Sequence, residues 1–323
     1  MEKDLTAGSI KMNLIKLAWP LIFGMLFQTA FNIIDTIYVG MLGTKELAAI
    51  SATFPVVFIF IAIASGLAAG CTALVAQAIG AKRFKEASNI AEHSLLLGFI
   101  ISASIAALGI LLSRYVFLFM GITAELLPYT LSYANIIFFG FIFLFVGFIA
   151  MSIIRAQGDT KTPMKFQIAA VLMNVALDPV MIFGLFGFPA LGLTGAAIAT
   201  VISRSFMTFA NIAYLMLGKT KIRLSPKNFS FKTEIIKRII KVGLPASAAN
   251  SINSIGMILL MSLVALFGTE VIAVFGIGMR LDGLVTLPAI GLATAAVTLV
   301  GQNYGSKKYE SCLLYTSDAA DDM

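Results

Sequence analysis

The chain is organised as long apolar runs separated by short polar segments. Eight of these runs are long enough to cross a bilayer, which takes about 20 apolar residues in a helix. We predict membrane helices at 14–42, 50–79, 89–112, 127–154, 163–186, 191–217, 235–267 and 271–301. The predicted fold class is therefore an all-α polytopic membrane protein.

The polar segments between the runs alternate between two kinds. One set is short and nearly uncharged, as at 43–47 and 186–192. The other set is rich in lysine and arginine, as at 82–85, 155–165, 219–241 and 307–308. Cytoplasmic loops of membrane proteins carry the excess of basic residues. We therefore expect the N-terminus and the basic loops on the cytoplasmic side of the cell inner membrane.

An internal repeat divides the chain into two parts. A gapless shift of 225 residues lays 15–84 on 240–309 and aligns polar and glycine positions, including Pro20/Pro245, Gly66/Gly291, Gln77/Gln302 and Gly80/Gly305. Both copies begin on the same side of the membrane, so the repeats are parallel and related by an axis along the membrane normal. The first copy has six predicted helices and the second has two. We therefore expect about twelve helices in the full protein.

The repeat and the longest polar segment set the predicted domain boundaries. We assign 1–217 to an N-terminal six-helix lobe and 218–234 to a cytoplasmic linker. Residues 235–310 form the first two helices of a second lobe. The tail 311–323 leaves the repeat and becomes acidic, and we interpret it as truncated or non-native.

Composition supports a membrane protein and argues against other classes. Of 323 residues, 59% are apolar and 12% are charged, about half of the charged share of a soluble domain. The net charge of +7 fits basic loops that set topology, so we expect the lipid bilayer as partner and no nucleic acid. No nucleophile–base set, metal-ligand cluster or filter loop is found. We expect a monomer without cofactors, which is neither an enzyme nor a channel.

Two carboxylates lie deep in predicted spans. An ionisable group in a span costs about 2.5–3.5 kcal/mol on insertion scales, so it is a functional candidate by default. Asp35 lies in helix 1 and Asp178 in helix 5, and both reach the outer half of the bundle at similar depth. Arg204, near the middle of helix 6, is the one basic residue of this lobe predicted in that region.

Helix 5 presents several oxygen atoms on one face. Asn174 and Asp178 are four residues apart and share that face. Pro179 has no amide hydrogen, so the carbonyl of Val175 loses its usual donor. Thr200 lies in the outer half of helix 6, beside small residues that allow close packing. Such oxygens suit a hard cation or a proton, while the alternative is a hydrogen-bonded cluster that only holds helices together.

These segments together resemble the multidrug and toxin extrusion (MATE) family over residues 10–310. The resemblance is carried by Pro20 with Asp35, by Asn174-x-x-x-Asp178-Pro179, and by the segments 155–164, 195–200 and 301–305. It implies export of cationic or amphipathic compounds driven by inward H⁺ or Na⁺. A lipid-linked precursor flippase of the same superfamily is the alternative.

The resemblance also implies where the coupling ion binds. Carried over residue by residue, the cation site is Asp35, Asn174, Asp178 and Thr200, with Ala196 contributing a carbonyl. If the ion is Na⁺, it would be held by Asp178, Asn174 and Thr200.

A substrate cavity is predicted beside helix 1 and between the two lobes. Met25 and Phe31 flank the helix-1 face that carries the carboxylate, so they can contact an apolar compound. Gln28 and its repeat mate Asn253 lie mid-helix and face either the cavity or a neighbouring helix.

Three further polar residues have less defined roles. Arg280 and Asp282 lie two residues apart in helix 8 and either pair with other helices or line the pathway between the lobes. His93 is the only histidine, and we predict an interfacial position for it near the cytoplasmic end of helix 3.

Overall fold

The computed structural model contains eight long α-helices and, in the residues it describes, no strand. It describes residues 5–6, 9–218, 220–224, 229–265 and 269–313, with side chains for only part of 253–284. The helices are α1 (Ile10–Gly40), α2 (Thr44–Gly80), α3 (Phe84–Phe119), α4 (Leu127–Ala156), α5 (Lys161–Phe183), α6 (Gly192–Met216), α7 (Thr233–Ala265) and α8 (Thr269–Gly305). A short 3₁₀ turn, Leu185–Gly187, follows α5.

The predicted all-α polytopic fold is confirmed. Among the described residues, seven helical stretches are long and apolar enough to cross a membrane: α1 to α6, and Val285–Gly305 of α8. α7 has 33 residues, which at about 1.5 Å per residue also exceeds the bilayer core. Several helices extend past the predicted apolar runs, and α3 begins at Phe84 rather than at 89. The added turn at the start of α3 carries Lys85 and Glu86, as expected where a helix end reaches the solvated layer outside the hydrocarbon.

The first six helices form one bundle around α4. This helix packs against α2, α3 and α6, and it buries the large side chains of Phe138 and Phe145. α5 packs against α1 and α6, which sets the helices of the two predicted carboxylates side by side. Gly195 of α6 lies against the carbonyl of Met181 on α5, where a side chain would not fit. The small residues of α6 therefore permit the close approach expected from the sequence.

The two lobes contact each other through helices that the repeat relates. α2 packs on α7, α1 packs on α8, and α2 crosses α8. Gly80 lies against the carbonyl of Gln302, and its repeat mate Gly305 lies against the carbonyl of Gln77. A second pair of close contacts is related by the repeat in the same way: Gly66 lies against Ser247, and Gly291 lies against Ile22. Paired contacts of this kind are what two parallel repeats around a common axis produce.

Hydrogen bonds reinforce this contact near the basic loops. Gln302 Nε2 donates to the carbonyl of Ala156 at 2.8 Å, which ties α8 to the last turn of α4. Lys308 Nζ donates to the carbonyl of Thr6 at 2.6 Å, which ties the end of the second repeat to the start of the chain. The lobes are therefore held together at the end of the bundle that carries the basic segments.

The linker is packed against the N-terminal lobe. Ile222 is fully buried in an apolar cluster with residues of α2, α3 and α4, and its N–H donates to Gln157 Oε1 at 3.1 Å. The N–H of Lys232 donates to His93 Nε2 at 2.8 Å. His93 is 0% exposed, while its predicted position near the cytoplasmic membrane interface stays a prediction. The linker covers the imidazole, and hydropathy patterns carry no signal for such long-range docking.

Replacing Gly80 by alanine should destabilise the contact between the lobes. The added Cβ would meet the backbone carbonyl of Gln302, and overpacking of this kind costs about 1–3 kcal/mol. Gly40, the last residue of α1, has no neighbouring atom within 4 Å and provides a matched control. In the purified full-length protein, Gly80→Ala should lower the melting temperature. Gly40→Ala should leave it unchanged or raise it, since alanine favours helix. Equal shifts for both variants would contradict the close crossing.

Candidate ion-coupling site

Asp178 lies at the centre of the candidate site. Its side chain is 0% exposed, and its Oδ1 accepts a hydrogen bond from Asn174 Nδ2 at 2.7 Å. The two side chains share one face of α5, as their four-residue spacing predicts. α5 continues through Pro179 without interruption, so the helix keeps both side chains directed into the bundle.

Asp35 of α1 is the second carboxylate of the site. It is half-buried, and its charge and that of Asp178 are close enough to act on each other and on the hydroxyl of Tyr133 from α4. Asp35 Oδ1 and Asp178 Oδ2 are enclosed, and neither has a hydrogen-bond partner among the described residues. Two like charges with unpartnered oxygens are unfavourable in a dry interior. A proton or a small cation bound there would offset that repulsion.

The donor atoms at this site fit H⁺ or Na⁺. Carboxylate, amide and hydroxyl oxygens are hard ligands, which suit hard cations rather than soft transition metals. No cluster of three His, Cys, Asp or Glu side chains occurs in the described part of the chain. Thr200 is half-buried on α6. Ala196, one turn earlier, packs in an apolar cluster with Val39 and Ile182. The Ala196 carbonyl and the Thr200 hydroxyl stay predicted ligands.

A small cavity lies next to the carboxylates inside the N-terminal lobe. It has room for little more than a water molecule, and α1, α5 and α6 form its walls. Its lining residues are Gln28, Phe31, Gln167, Ala170, Val171, Asn174, Ser203, Arg204 and Met207. Asn174 both lines this cavity and donates to Asp178, so it connects the cavity with the carboxylate pair.

The structure brings together only part of the predicted substrate cavity. Gln28 and Phe31 line the N-terminal cavity, whereas Met25 is half-buried on α1 outside its lining. Asp282 is exposed on α8 and does not line this cavity either. The side chains of Asn253 and Arg280 lie outside the described residues.

Several residues of the site were missed by the sequence reasoning. Gln167 precedes Asn174 by seven residues, so the same helical periodicity that selected Asn174 could have found it. Ser203 and Met207 follow Thr200 by three and seven residues on α6, which is the same kind of signal. Tyr133 reaches the carboxylates from α4, and no spacing within one helix predicts such a contact between helices.

A membrane-spanning helical bundle with a parallel repeat and an acidic polar site inside its first lobe defines a polytopic membrane transporter. The sequence profile described as MatE matches residues 20–180 and 245–317, which is more than half of the chain. The chain belongs to the MatE family, whose members are transporters rather than enzymes. The two matched segments begin 245 − 20 = 225 residues apart, which is the shift of the internal repeat.

Named relatives and a solved structure agree with this family. The chain is 28% identical over 295 residues to the probable multidrug resistance protein YoeA of Bacillus subtilis strain 168, covering 90% of this chain and 64% of that protein. It is 29% identical over 306 residues to the FAD transporter of Shewanella oneidensis MR-1, covering 94% of this chain and 67% of that protein. The chain thus spans about two thirds of the length of these relatives.

The structural comparison gives the same class. A solved multidrug resistance MATE family transporter in an outward-facing conformation superimposes with a TM-score of 0.90 at 31% identity. The match covers 98% of this chain and 69% of that one. The resemblance noted from the sequence is therefore confirmed at the level of family and fold.

The hydrogen bond between Asn174 and Asp178 should give a measurable coupling energy. Asn174→Ala leaves a buried carboxylate without its donor and should destabilise the full-length protein by about 1–3 kcal/mol. The double variant Asn174→Ala/Asp178→Ala removes both partners and should cost less than the sum of the single changes. A double-mutant cycle of unfolding free energies measures this difference. Strict additivity would show that the two side chains do not interact.

Proposed function

We propose that the full-length transporter exports cationic or amphipathic small molecules in exchange for H⁺ or Na⁺ that enters from outside. The observation that supports this most is the pair of enclosed carboxylate oxygens on Asp35 and Asp178. A hydrogen-bonded cluster that served only to hold helices together would be expected to satisfy these atoms. An ion that binds and leaves during each cycle satisfies them for part of the time and moves the helices when it does so.

The proposed cycle uses α1 as the moving element. When the site faces outward, Asp35 and Asp178 take up the coupling ion, which neutralises their repulsion. α1 then packs more closely against α5, which lowers the affinity for a bound compound, and the compound leaves to the outside. The lobes rock about the contact between Gly80 and Gln302, and the ion leaves to the cytoplasm. Coupling of a few kcal/mol, comparable to differential binding of one ion, is sufficient.

The orientation and the location of the protein are part of the proposal. We infer that the end with the basic segments, where the lobes meet, lies on the cytoplasmic side of the cell inner membrane. The same inference places the N-terminus in the cytoplasm and Asp35 in the outer half of the bundle. We also propose that the protein acts as a monomer.

The relatives bear on the substrate class. YoeA is named as a multidrug resistance protein, which supports export of amphipathic compounds. The Shewanella relative is named as an FAD transporter. FAD carries a pyrophosphate, so compounds with anionic groups should also be tested as substrates. Neither relative is named as a flippase, and the flippase alternative is not favoured.

Neutralising Asp178 should abolish coupled export. In cells carrying the full-length protein, Asp178→Asn should lower the rate of ethidium efflux by about 10-fold or more, since it removes the charge that changes with ion binding. Glu125→Gln is the matched control, because Glu125 is exposed and pairs with Lys45 at 2.5 Å away from the site. Wild-type efflux by Asp178→Asn at equal expression would overturn the assignment.

Ion binding should stabilise the wild type and not the neutral variant. We expect the melting temperature of the purified full-length protein to rise with NaCl at pH 8, measured against KCl at equal ionic strength, or with acidification. The first response identifies Na⁺ and the second H⁺. Asp178→Asn should melt higher than the wild type at pH 8 in KCl, because it buries no unpaired charge, and should lose the response. An unchanged response in the variant would place the ion elsewhere.

A further inference from the structure

Arg204 introduces a positive charge into the wall of the N-terminal cavity. It lies on α6, half-buried, next to Ser203 and near the amides of Gln28, Gln167 and Asn174, which line the same cavity. A guanidinium within a membrane span is unfavourable unless it is paired or lines a polar cavity. Such a residue is rarely kept without a partner or a ligand.

The described residues offer Arg204 no acidic partner. Its side chain forms no ion pair or hydrogen bond within the described part of the chain, and neither Asp35 nor Asp178 pairs with it. Asp178 accepts from Asn174 and faces the charge of Asp35. The lobe therefore holds two separate polar regions, one acidic and one basic, joined by Asn174 in the cavity wall.

The chemistry of the cavity wall favours an acidic ligand group. A guanidinium presents five N–H donors in a planar fork that matches a carboxylate with two parallel hydrogen bonds. The hydroxyl of Ser203 is enclosed and has no partner among the described residues, so it is a further donor. The cavity has room for little more than a water molecule, so at most a carboxylate oxygen of a compound, and not a drug-sized molecule, enters it.

We propose that Arg204 forms a subsite for the carboxylate of an anionic or zwitterionic substrate. The rest of that compound extends from the cavity toward the space between the lobes. This assignment rests on the proposed export function and adds a charge preference to it. Compounds with a free carboxylate bind through Arg204, whereas purely cationic compounds do not use it.

Two matched dyes test the subsite. Rhodamine B has a free carboxylate, whereas the carboxyl group of rhodamine 6G is esterified and the dye is a cation. In the purified full-length protein, Arg204→Gln should raise the Kd of rhodamine B by about 10-fold or more and leave that of rhodamine 6G within about two-fold. Arg204→Lys should be intermediate for rhodamine B, because it keeps the charge but loses the planar fork. Benzoate should displace rhodamine B from the wild type.

Arg114 on α3 provides the control for Arg204. Arg114→Gln removes the same charge from an exposed position on α3 and should change neither affinity. Equal weakening of both dyes by Arg204→Gln, or no weakening of rhodamine B, would overturn the subsite and leave the export function standing. Binding of neither dye to the wild type would overturn both proposals. If Arg204→Gln does not fold, the lysine variant and benzoate competition decide the question, and failure of benzoate to compete rejects the subsite.

Discussion

Repulsion between Asp35 and Asp178 is the constraint on which the rest of this lobe depends. Water moderates like charges at a protein surface, but the interior of a helical bundle in lipid offers little of it. Asn174 supplies one hydrogen bond to one of the four carboxylate oxygens, which offsets only a small part of the unfavourable energy. In the proposed cycle, a coupling ion bound between the carboxylates would therefore stabilise α1 against α5.

α1 connects the ion site with the contact between the lobes, because it packs on both α5 and α8. Its C-terminal part holds Asp35 beside α5, and its N-terminal part packs on α8, where Ile22 lies against Gly291. The two positions are 13 residues apart, or about 20 Å along the helix. Pro20 stands beside the inner contact and removes one backbone hydrogen bond of the helix. A tilt of α1 at the ion site would therefore also shift Ile22 against Gly291, where the two helices are closely packed.

The sequence predicts the features that depend on one helix or on the repeat. Hydropathy predicts the number and the approximate positions of the helices but not their ends, and the four-residue spacing of Asn174 and Asp178 predicts their shared face. The 225-residue shift anticipates the paired contacts of Gly80 and Gly305. Contacts between distant elements were not predictable, because nothing in the local pattern of α4 marks Tyr133 and nothing near His93 marks the linker that buries it.

In the proposed exchange, Asn174 couples ion binding to substrate binding, because it contacts Asp178 and also lines the cavity. Its amide donates to Asp178 and also forms part of the cavity wall, which it shares with Arg204. An ion on Asp178 draws the carboxylate away from this amide or compresses the site, so the shape and the hydrogen-bonding capacity of the cavity change together. By linkage, a substrate in the cavity must weaken ion binding by the same factor. Exchange of the two ligands then needs no signal over a long distance, because one side chain belongs to both sites.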